Sequence, residues 1–293
     1  MSGSSPSFIK GTCMDMCPVR ERRLVVMRHE TDWCIVYDFV FDRLRAVRQD
    51  MVIQDLGSVD GMMILEPTVR FHGYAGYRLC AEAQSKFDAT INWTHLLQCL
   101  QQLLTLYDAT HQDCYSVPTT GVRAEMEAMY LLLGLGNSDA LRRALQLPQE
   151  LRQHPLLRTA FSMSLALWNG NYVRVCALLP KLPPLLMCVA AQQLPLVRRR
   201  ALQVMSRAYS SRNLSFPLSM LQAILLYKTR EQAETDCRHY GISVTDNDVM
   251  FNKETFVPNA HGACLQVACV DSALQSCDLP QLLLYPEVDH VDR

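Results

Sequence analysis

Few side chains of this 293-residue chain have the types and spacing that catalysis or metal binding requires. Cys13 and Cys17 are the one close cysteine pair, and a zinc ion there would need His29 and Cys34 as its other ligands. Because no second pair has the matching spacing, we favour small buried thiols over a metal site. The histidines occur singly, and the glycine-rich phosphate-binding, serine-hydrolase and metalloprotease motifs are all missing from the sequence.

These observations predict a protein that is not an enzyme, has no cofactor and takes no small-molecule substrate. A thiol-dependent enzyme is the catalytic alternative, with Cys13 or Cys17 as its nucleophile. Twelve cysteines scattered along a chain without a signal peptide indicate reduced thiols in the nucleus or cytosol. The most apolar stretch, residues 182–197, contains three prolines, so it is not expected to span a membrane. We expect a soluble intracellular protein.

Charge, in contrast, is concentrated in one part of the chain. Residues 151–230 carry 11 basic side chains and no acidic one, whereas residues 231–293 carry 3 basic and 11 acidic side chains. An acid-free run of this length predicts either an anionic partner, which is nucleic acid or an acidic protein segment, or packing against acidic neighbours of the same chain. Both alternatives stay open. The candidate residues for binding nucleic acid or an acidic partner are Arg198, Arg199, Arg200, Arg207 and Arg212.

Amphipathic helices must position these side chains. Apolar residues make up 49% of the chain and charged residues 19%, which is typical of a globular protein. Asp38–Gln54 predicts a helix that packs one apolar stripe against other helices. Trp33, Trp93 and Trp168 also fall on apolar faces, where we expect core packing rather than base stacking. The apolar stripe of the first helix consists of Val36, Val40, Leu44, Val47 and Met51.

The middle of the chain predicts consecutive pairs of helices. Leu156–Trp168 and Tyr172–Leu179 are separated by the strong turn signal Asn169–Asn171. Leu185–Gln193 and Leu196–Tyr209 follow, with prolines between the helices. Antiparallel helix pairs in succession are typical of an α-solenoid, so we expect a mainly α fold of that kind.

The pattern changes after this series. Pro217–Tyr227 and Glu231–Tyr240 predict two short helices, and residues 249–257 predict a β-hairpin with its turn at Asn252–Thr255. Helices followed by a hairpin indicate a winged helix at about residues 214–258. The predicted organisation is a disordered N-terminus at residues 1–10, a helical domain at residues 11–258 and an acidic C-terminal tail at residues 259–293.

Four stretches, in their order along the chain, resemble the signatures of the Sac-three/GANP family. They are Gly11–Arg22, Asp38–Asp50, Glu66–His72 and Leu167–Tyr172. Several ordered motifs over about residues 11–258 are far more specific than one short pattern. The positions that match the family signatures, for which we expect structural roles, are Gly11, Cys13, Asp15, Met16, Cys17, Pro18, Glu21, Arg22, Asp42, Arg43, Arg45, Arg48, Gln49, Arg70, Phe71 and His72.

Members of this family are helical scaffolds related to the PCI proteins of the proteasome lid, and they end in a winged helix. The resemblance implies a role in the complex that couples transcription to nuclear mRNA export. It implies two protein partners, a second PCI-type protein and a small acidic subunit, and it is compatible with RNA binding. The chain looks most similar to the short metazoan members, which are associated with the centrosome and the spindle as well as with this complex.

Two features depart from the family pattern. Only 14 residues lie between Arg23 and Asp38, where the family has a longer segment. The expected recognition helix, Glu231–Tyr240, carries three acidic side chains, which is the wrong charge for docking on phosphates. We therefore expect any nucleic-acid contact on the preceding helix, where Arg200 and Arg207 share a face. A nucleic-acid-binding helical protein that works alone is the alternative function.

Overall fold

The computed structural model describes residues 32–110, 120–211, 213–245, 247–260 and 262–284. Within these residues the protein is mainly α-helical with one small antiparallel sheet, which confirms the predicted class. The chain divides into two compact units. Unit 1 holds the described residues up to Ala75 and residues 82–110, while unit 2 holds residues 76–81 and those from Thr120 onward. Among the described helices, none combines the length and the hydropathy that a membrane span requires.

Unit 1 is built on three helices. The N-terminal helix starts five residues before its predicted start at Asp38, because the Asp32 carboxylate accepts a hydrogen bond from the backbone N–H of Cys34 at 2.9 Å and caps it. Asp88 caps the third helix in the same way. The helices are α1 (Trp33–Ile53), α2 (Ser58–Arg78, whose last residues belong to unit 2) and α3 (Ala89–Thr110).

Aromatic side chains fill the core of unit 1. Tyr37 of α1 stacks on Phe71 of α2 with the ring centroids 5.9 Å apart, and it meets Phe87 edge-on at 4.9 Å. Met51 is buried, as the predicted stripe requires, but the other four stripe residues are only half-buried. The prediction that the stripe is buried is therefore wrong for these four residues. Tyr37 makes the buried contact that the spacing of the apolar residues predicted for the valines and the leucine.

Unit 2 contains a longer series of helices. Several of them have a proline in their first turn. A proline is tolerated there because the backbone N–H groups of the first turn have no acceptor within the helix. The predicted turn between two of them is present, with Gly170 at a φ of 73° and the Asn171 side chain capping the backbone N–H of Arg174 at 2.9 Å. The series is α4 (Thr120–Leu133), α5 (Ser138–Gln146), α6 (Gln149–Gln153), α7 (Pro155–Trp168), α8 (Tyr172–Leu178), a 3-10 turn (Leu179–Lys181), α9 (Pro184–Ala191) and α10 (Leu194–Ala208).

Helix α4 lies at the centre of this packing and contacts helices that are distant from it in the series as well as its neighbour. α4 contacts α5, α6, α7 and α9, α7 contacts α8, and α8 contacts α10. The elements that follow are β1 (Phe216–Pro217), α11 (Leu218–Ile224), α12 (Arg230–His239), β2 (Ser243–Thr245) and β3 (Asp248–Met250).

The three short strands form one antiparallel sheet in the order β1-β3-β2. Val249 at its centre is buried and lies opposite Phe216 of β1 and Val244 of β2. A hairpin exists, but the predicted position with a turn at Asn252–Thr255 is wrong. Residues 251–257 form no strand, because Phe251 packs with Phe216 and Tyr209 while Phe256 stacks on Tyr240 at 5.8 Å.

The segment after Pro258, predicted as an acidic tail, contains two further helices, α13 (Ala268–Gln275) and α14 (Leu279–Leu284). Val267 is buried, and its backbone N–H donates to the Tyr77 hydroxyl at 2.8 Å. The same hydroxyl donates to the Asp271 carboxylate at 2.7 Å. This part of unit 2 is therefore packed by buried side chains, and residues 285–293 lie outside the described part of the chain.

Candidate binding surface

Arg198 of α10 points into the protein and is only 1% exposed. Its Nε donates to the carbonyl oxygen of Leu225 at 3.0 Å, and its Nη2 donates to that of Leu226 at 2.7 Å. Its guanidinium carbon lies 4.1 Å from the centre of the Tyr227 ring. Leu226 has a φ of 55°, a conformation that costs a leucine about 1–2 kcal/mol. The prediction that Arg198 binds nucleic acid or an acidic partner is wrong, because its guanidinium is buried in this strained turn.

The expected recognition helix α12 uses its acidic side chains internally. The Tyr227 hydroxyl donates to the Asp236 carboxylate, and burial raises the pKa of both groups. Glu234 pairs with Arg230 at 2.8 Å and with Arg238 at 2.9 Å. The acidic charge that argued against phosphate docking is thus partly compensated within α12 itself.

Other arginines of α10 face outward. Arg200 and Arg207 are exposed, with exposed Val204 between them on the same face, while Arg199 is half-buried. Among the described residues, no carboxylate forms an ion pair with Arg200 or Arg207. Arg212 lies outside the described residues. Of the five predicted binding residues, the structure brings Arg200 and Arg207 to one accessible face.

Further exposed basic side chains come from α6, α7, α8 and the 3-10 turn. At the end of the acid-free run, Lys228 pairs with Asp271 at 2.7 Å, so part of the run does pack against acidic neighbours, as one alternative expected. Six other basic side chains, all earlier in the run, are exposed. We define the basic surface of unit 2 as the exposed side chains of Arg152, Arg158, Arg174, Lys181, Arg200 and Arg207.

An exposed tryptophan stands between Arg158 and Arg174 in the chain, and sequence reasoning missed it. Trp168, the last residue of α7, is 57% exposed, so the expectation of core packing is wrong. The turn through Gly170, at a φ of 73°, follows directly after this helix end. Tyr209, at the end of α10, is also exposed and lies near Tyr172 of α8, whose pKa is raised by burial and by Tyr209. The signal was the position of Trp168 directly before the Asn-Gly-Asn turn.

The signature residues Arg70, Phe71 and His72 are all buried in unit 1. The His72 Nδ1 lies 2.8 Å from the Asn92 Oδ1, and the Asn92 Nδ2 donates to the His72 carbonyl oxygen at 3.0 Å. Burial lowers the pKa of His72 to about 4, so the ring is neutral at pH 7 and its Nδ1–H donates to Asn92. This hydrogen-bonded pair joins α2 to α3 and offers no accessible catalytic group.

Some signature residues of α1 contact other side chains, and others are exposed to solvent. Arg48 joins α1 to α3, since its Nε donates to the Gln102 Oε1 at 3.3 Å and its Nη1 to the Gln98 Oε1 at 3.4 Å. Arg43 is half-buried, with its guanidinium 5.9 Å from the Phe39 ring centre. The exposed members are Asp42, Arg45 and Gln49.

The N-terminal signature Gly11–Arg22 lies outside the described residues, together with His29. Both the zinc alternative and the thiol-enzyme alternative at Cys13 and Cys17 therefore stay predictions. Cys34 is described and is buried in α1. In the part of the chain that the structure describes, no group of three His, Cys, Asp or Glu side chains is arranged to hold a metal ion.

Comparison with known proteins identifies the relatives of this chain. The model of the SAC3/GANP family matches residues 16–246. Protein xmas of Drosophila melanogaster is 30% identical over 224 residues, which is 74% of this chain and 10% of that protein. SAC3 family protein 1 of Schizosaccharomyces pombe is 27% identical over 243 residues, 74% of this chain and 23% of that protein.

A plant relative, SAC3 family protein B of Arabidopsis thaliana, is 24% identical over 236 residues, 76% of this chain and 14% of that protein. The chain thus spans at most 23% of the length of these three relatives. The family match, in contrast, covers most of this chain and includes the signatures of α1 and α2. This chain belongs to the SAC3/GANP family, as its signature stretches predicted.

Proposed function

We propose that this chain is a non-catalytic scaffold subunit in nuclear mRNA export, and that the basic surface of unit 2 binds single-stranded RNA. Membership of the SAC3/GANP family supports the scaffold role. The observation that carries the RNA part is the exposure of Arg200 and Arg207 without described carboxylate partners, in a unit that also exposes Trp168. Proteins that bind single strands combine basic side chains that follow the backbone with aromatic rings on which bases stack.

We also propose that α10 to β3 is a winged-helix module of the PCI type, at the end of an α-solenoid formed by the preceding helices. Its elements follow the order helix, strand, helix, helix, strand, strand, and its three strands form one antiparallel sheet. Arg198 supports this unit from within, because it bonds α10 to the turn between α11 and α12. In this arrangement the exposed face of α10, rather than α12, is available to phosphates.

RNA binding is tested with a fluorescein-labelled oligouridine of about 20 nucleotides and the double variant Arg200→Glu/Arg207→Glu. Anisotropy titrations at several salt concentrations should show an affinity reduced by tenfold or more. The slope of log affinity against log salt should fall by about 1.4, because two phosphate contacts are lost on a single strand.

The matched control is Lys86→Glu/Arg142→Glu, which changes the net charge by the same amount at two other exposed positions. It should retain most of the affinity. If both double variants bind the oligonucleotide equally well, or the wild type shows no salt-dependent binding, the RNA proposal is wrong.

The proposed protein partners are a second PCI-type protein and a small acidic subunit. An acidic subunit would compete for the same arginines, so Arg200→Glu/Arg207→Glu should weaken its capture as well. Purified wild-type protein that captures no PCI-type protein from nuclear extract would contradict the scaffold role. A role at the centrosome or spindle is the alternative site of action, and imaging of the tagged protein distinguishes it from a nuclear one.

A further inference from the structure

Unit 1 exposes an unusual concentration of apolar side chains where α1 ends and α2 begins. Five large apolar residues within a 12-residue stretch are 36 to 69% exposed. Single exposed apolar residues are normal on a protein surface, but contiguous groups of them mark interaction sites. We define the apolar tip as Val52, Ile53, Leu56, Val59 and Met63.

The backbone of the apolar tip is held in place by hydrogen bonds. The Leu56 N–H donates to the Met51 carbonyl at 3.2 Å, and the Gly61 N–H donates to the Gly57 carbonyl at 3.0 Å. Met51 is buried, and a Cβ at Gly61 would lie 3.0 Å from Leu106 of α3, so α2 packs closely there. The exposed side chains are therefore presented by a fixed turn, which lowers the entropic cost of binding a partner.

Acidic side chains border the apolar tip on the α1 side, in the turn and on the α2 side. Asp50, Asp55 and Asp60 are all exposed. The stretch from Gln49 to Val69 contains four acidic residues and no Lys, Arg or His. The C-terminus of α1 adds the partial negative charge of its last carbonyl groups. An apolar centre with a rim of one charge sign is the anatomy of a protein interface, and here the rim selects a cationic partner.

We propose that the apolar tip is a docking site for a basic amphipathic helix of a partner protein. The apolar face of such a helix would cover Val52, Val59 and Met63, and its Lys or Arg residues would lie beside the three aspartates. An anionic membrane surface or a nucleic acid would be repelled by the same carboxylates. A second copy joined tip to tip would bring like charges together. The site goes beyond the proposed RNA surface, which takes a partner of the opposite charge.

The proposal is tested with the full chain and a synthetic helical peptide of leucine and lysine, about 18 residues long, or five helical turns. Fluorescence anisotropy should show saturable binding of this peptide by the wild type. An equivalent peptide with glutamate in place of lysine should bind at least tenfold more weakly. Val52→Lys/Met63→Lys should weaken binding of the basic peptide at least tenfold, because it removes two apolar contacts and adds two charges that repel the peptide. Both side chains are largely exposed, so we expect the variant to keep the fold.

The matched control is Ile91→Lys/Leu145→Lys, which also adds two lysines, at apolar positions that are 49% and 58% exposed and lie outside the tip. It should bind the basic peptide like the wild type. Equal losses in the control and the tip variant would overturn the proposal, as would equal affinity for the two peptides. Dimerisation in sedimentation experiments that Val52→Lys/Met63→Lys abolishes, or binding to phosphatidylserine vesicles that it abolishes, would assign the tip to another occupant and overturn it too.

Discussion

The apolar tip of unit 1 and the basic surface of unit 2 differ in both chemistry and charge. The tip presents aliphatic side chains with aspartates around them, whereas the basic surface presents arginines and a lysine with no described carboxylate partner at Arg200 or Arg207. A single partner of one charge sign cannot satisfy both. The two proposals therefore predict partners of opposite charge, because each surface repels the ligand of the other.

The buried basic groups of the two units also differ. His72 in unit 1 is buried in its neutral form, because burial lowers its pKa to about 4. The neutral ring forms a hydrogen bond with Asn92. Arg198 in unit 2 instead donates to two carbonyl groups and lies over Tyr227. Unit 1 should therefore lose stability in acid through His72.

The largest effect is expected from Arg198→Ala. The substitution leaves the carbonyl oxygens of Leu225 and Leu226 without their donor and opens a cavity beside Tyr227. We expect the free energy of unfolding to fall by about 3 kcal/mol or more, measured by urea denaturation. Arg200→Ala on the same helix should change it by less than about 0.5 kcal/mol. If the two substitutions lower the free energy of unfolding equally, the buried contacts of Arg198 do not stabilise the fold as we expect.

The second effect is the pH dependence of unit 1. The pKa of His72 is about 4 in the folded protein and near 6.5 when unfolded, so the unfolded chain binds the extra proton between these values. Stability is thus fully present above pH 6.5 and is lost as the pH falls toward 4. From pH 7 to pH 5 this group should cost about 2 kcal/mol of unfolding free energy.

The variant His72→Gln keeps a side chain that can hydrogen-bond but does not titrate. Urea denaturation of this variant at the same two pH values should show a smaller loss than the wild type, by about the same 2 kcal/mol. His95, whose pKa burial also lowers, remains in both proteins. A loss that is unchanged in His72→Gln would show that another group is responsible.

Local features of the fold could be predicted from sequence because their causes are local. The turn Asn169–Asn171 was predicted from residue types alone, and the structure has Gly170 at positive φ there. The hairpin was misplaced because Phe251 and Phe256 look like strand residues, yet their rings pack against partners distant in the chain. Strand pairing in a three-residue strand depends on such contacts more than on propensity.

The binding surface was harder to predict, because the charge of a side chain does not give its direction. The acid-free run placed Arg198 and Arg200 together, but Arg198 stands four residues after buried Leu194 and three before buried Ala201. Helical periodicity therefore puts it on the apolar face, a signal that the sequence contained. Its acceptors at Leu225 and Leu226 are 27 and 28 residues away, which no local pattern indicates. The apolar tip was likewise hidden, since its side chains resemble those of any buried helix.

The third effect concerns the aromatic part of the basic surface. Trp168→Ala should reduce the affinity for oligouridine about tenfold, because stacking of one base on an aromatic ring contributes about 1–3 kcal/mol. The salt slope should stay as in the wild type, since no phosphate contact is lost. Thermal denaturation should show little change, as the ring is 57% exposed. An unchanged affinity would limit the basic surface to electrostatic contacts.

The smallest effect is expected at Asp55, which shapes the turn of the apolar tip at a φ of 48°. Asparagine and aspartate adopt this left-handed conformation more easily than alanine. Asp55→Asn should therefore leave the unfolding free energy within about 0.5 kcal/mol, while Asp55→Ala should lower it by about 1 kcal/mol. Asp55→Asn should still weaken the basic leucine–lysine peptide slightly, because one rim carboxylate is gone. A loss of peptide affinity in Asp55→Ala no larger than in Asp55→Asn would show that the charge of the rim, rather than the shape of the turn, sets recognition at the tip.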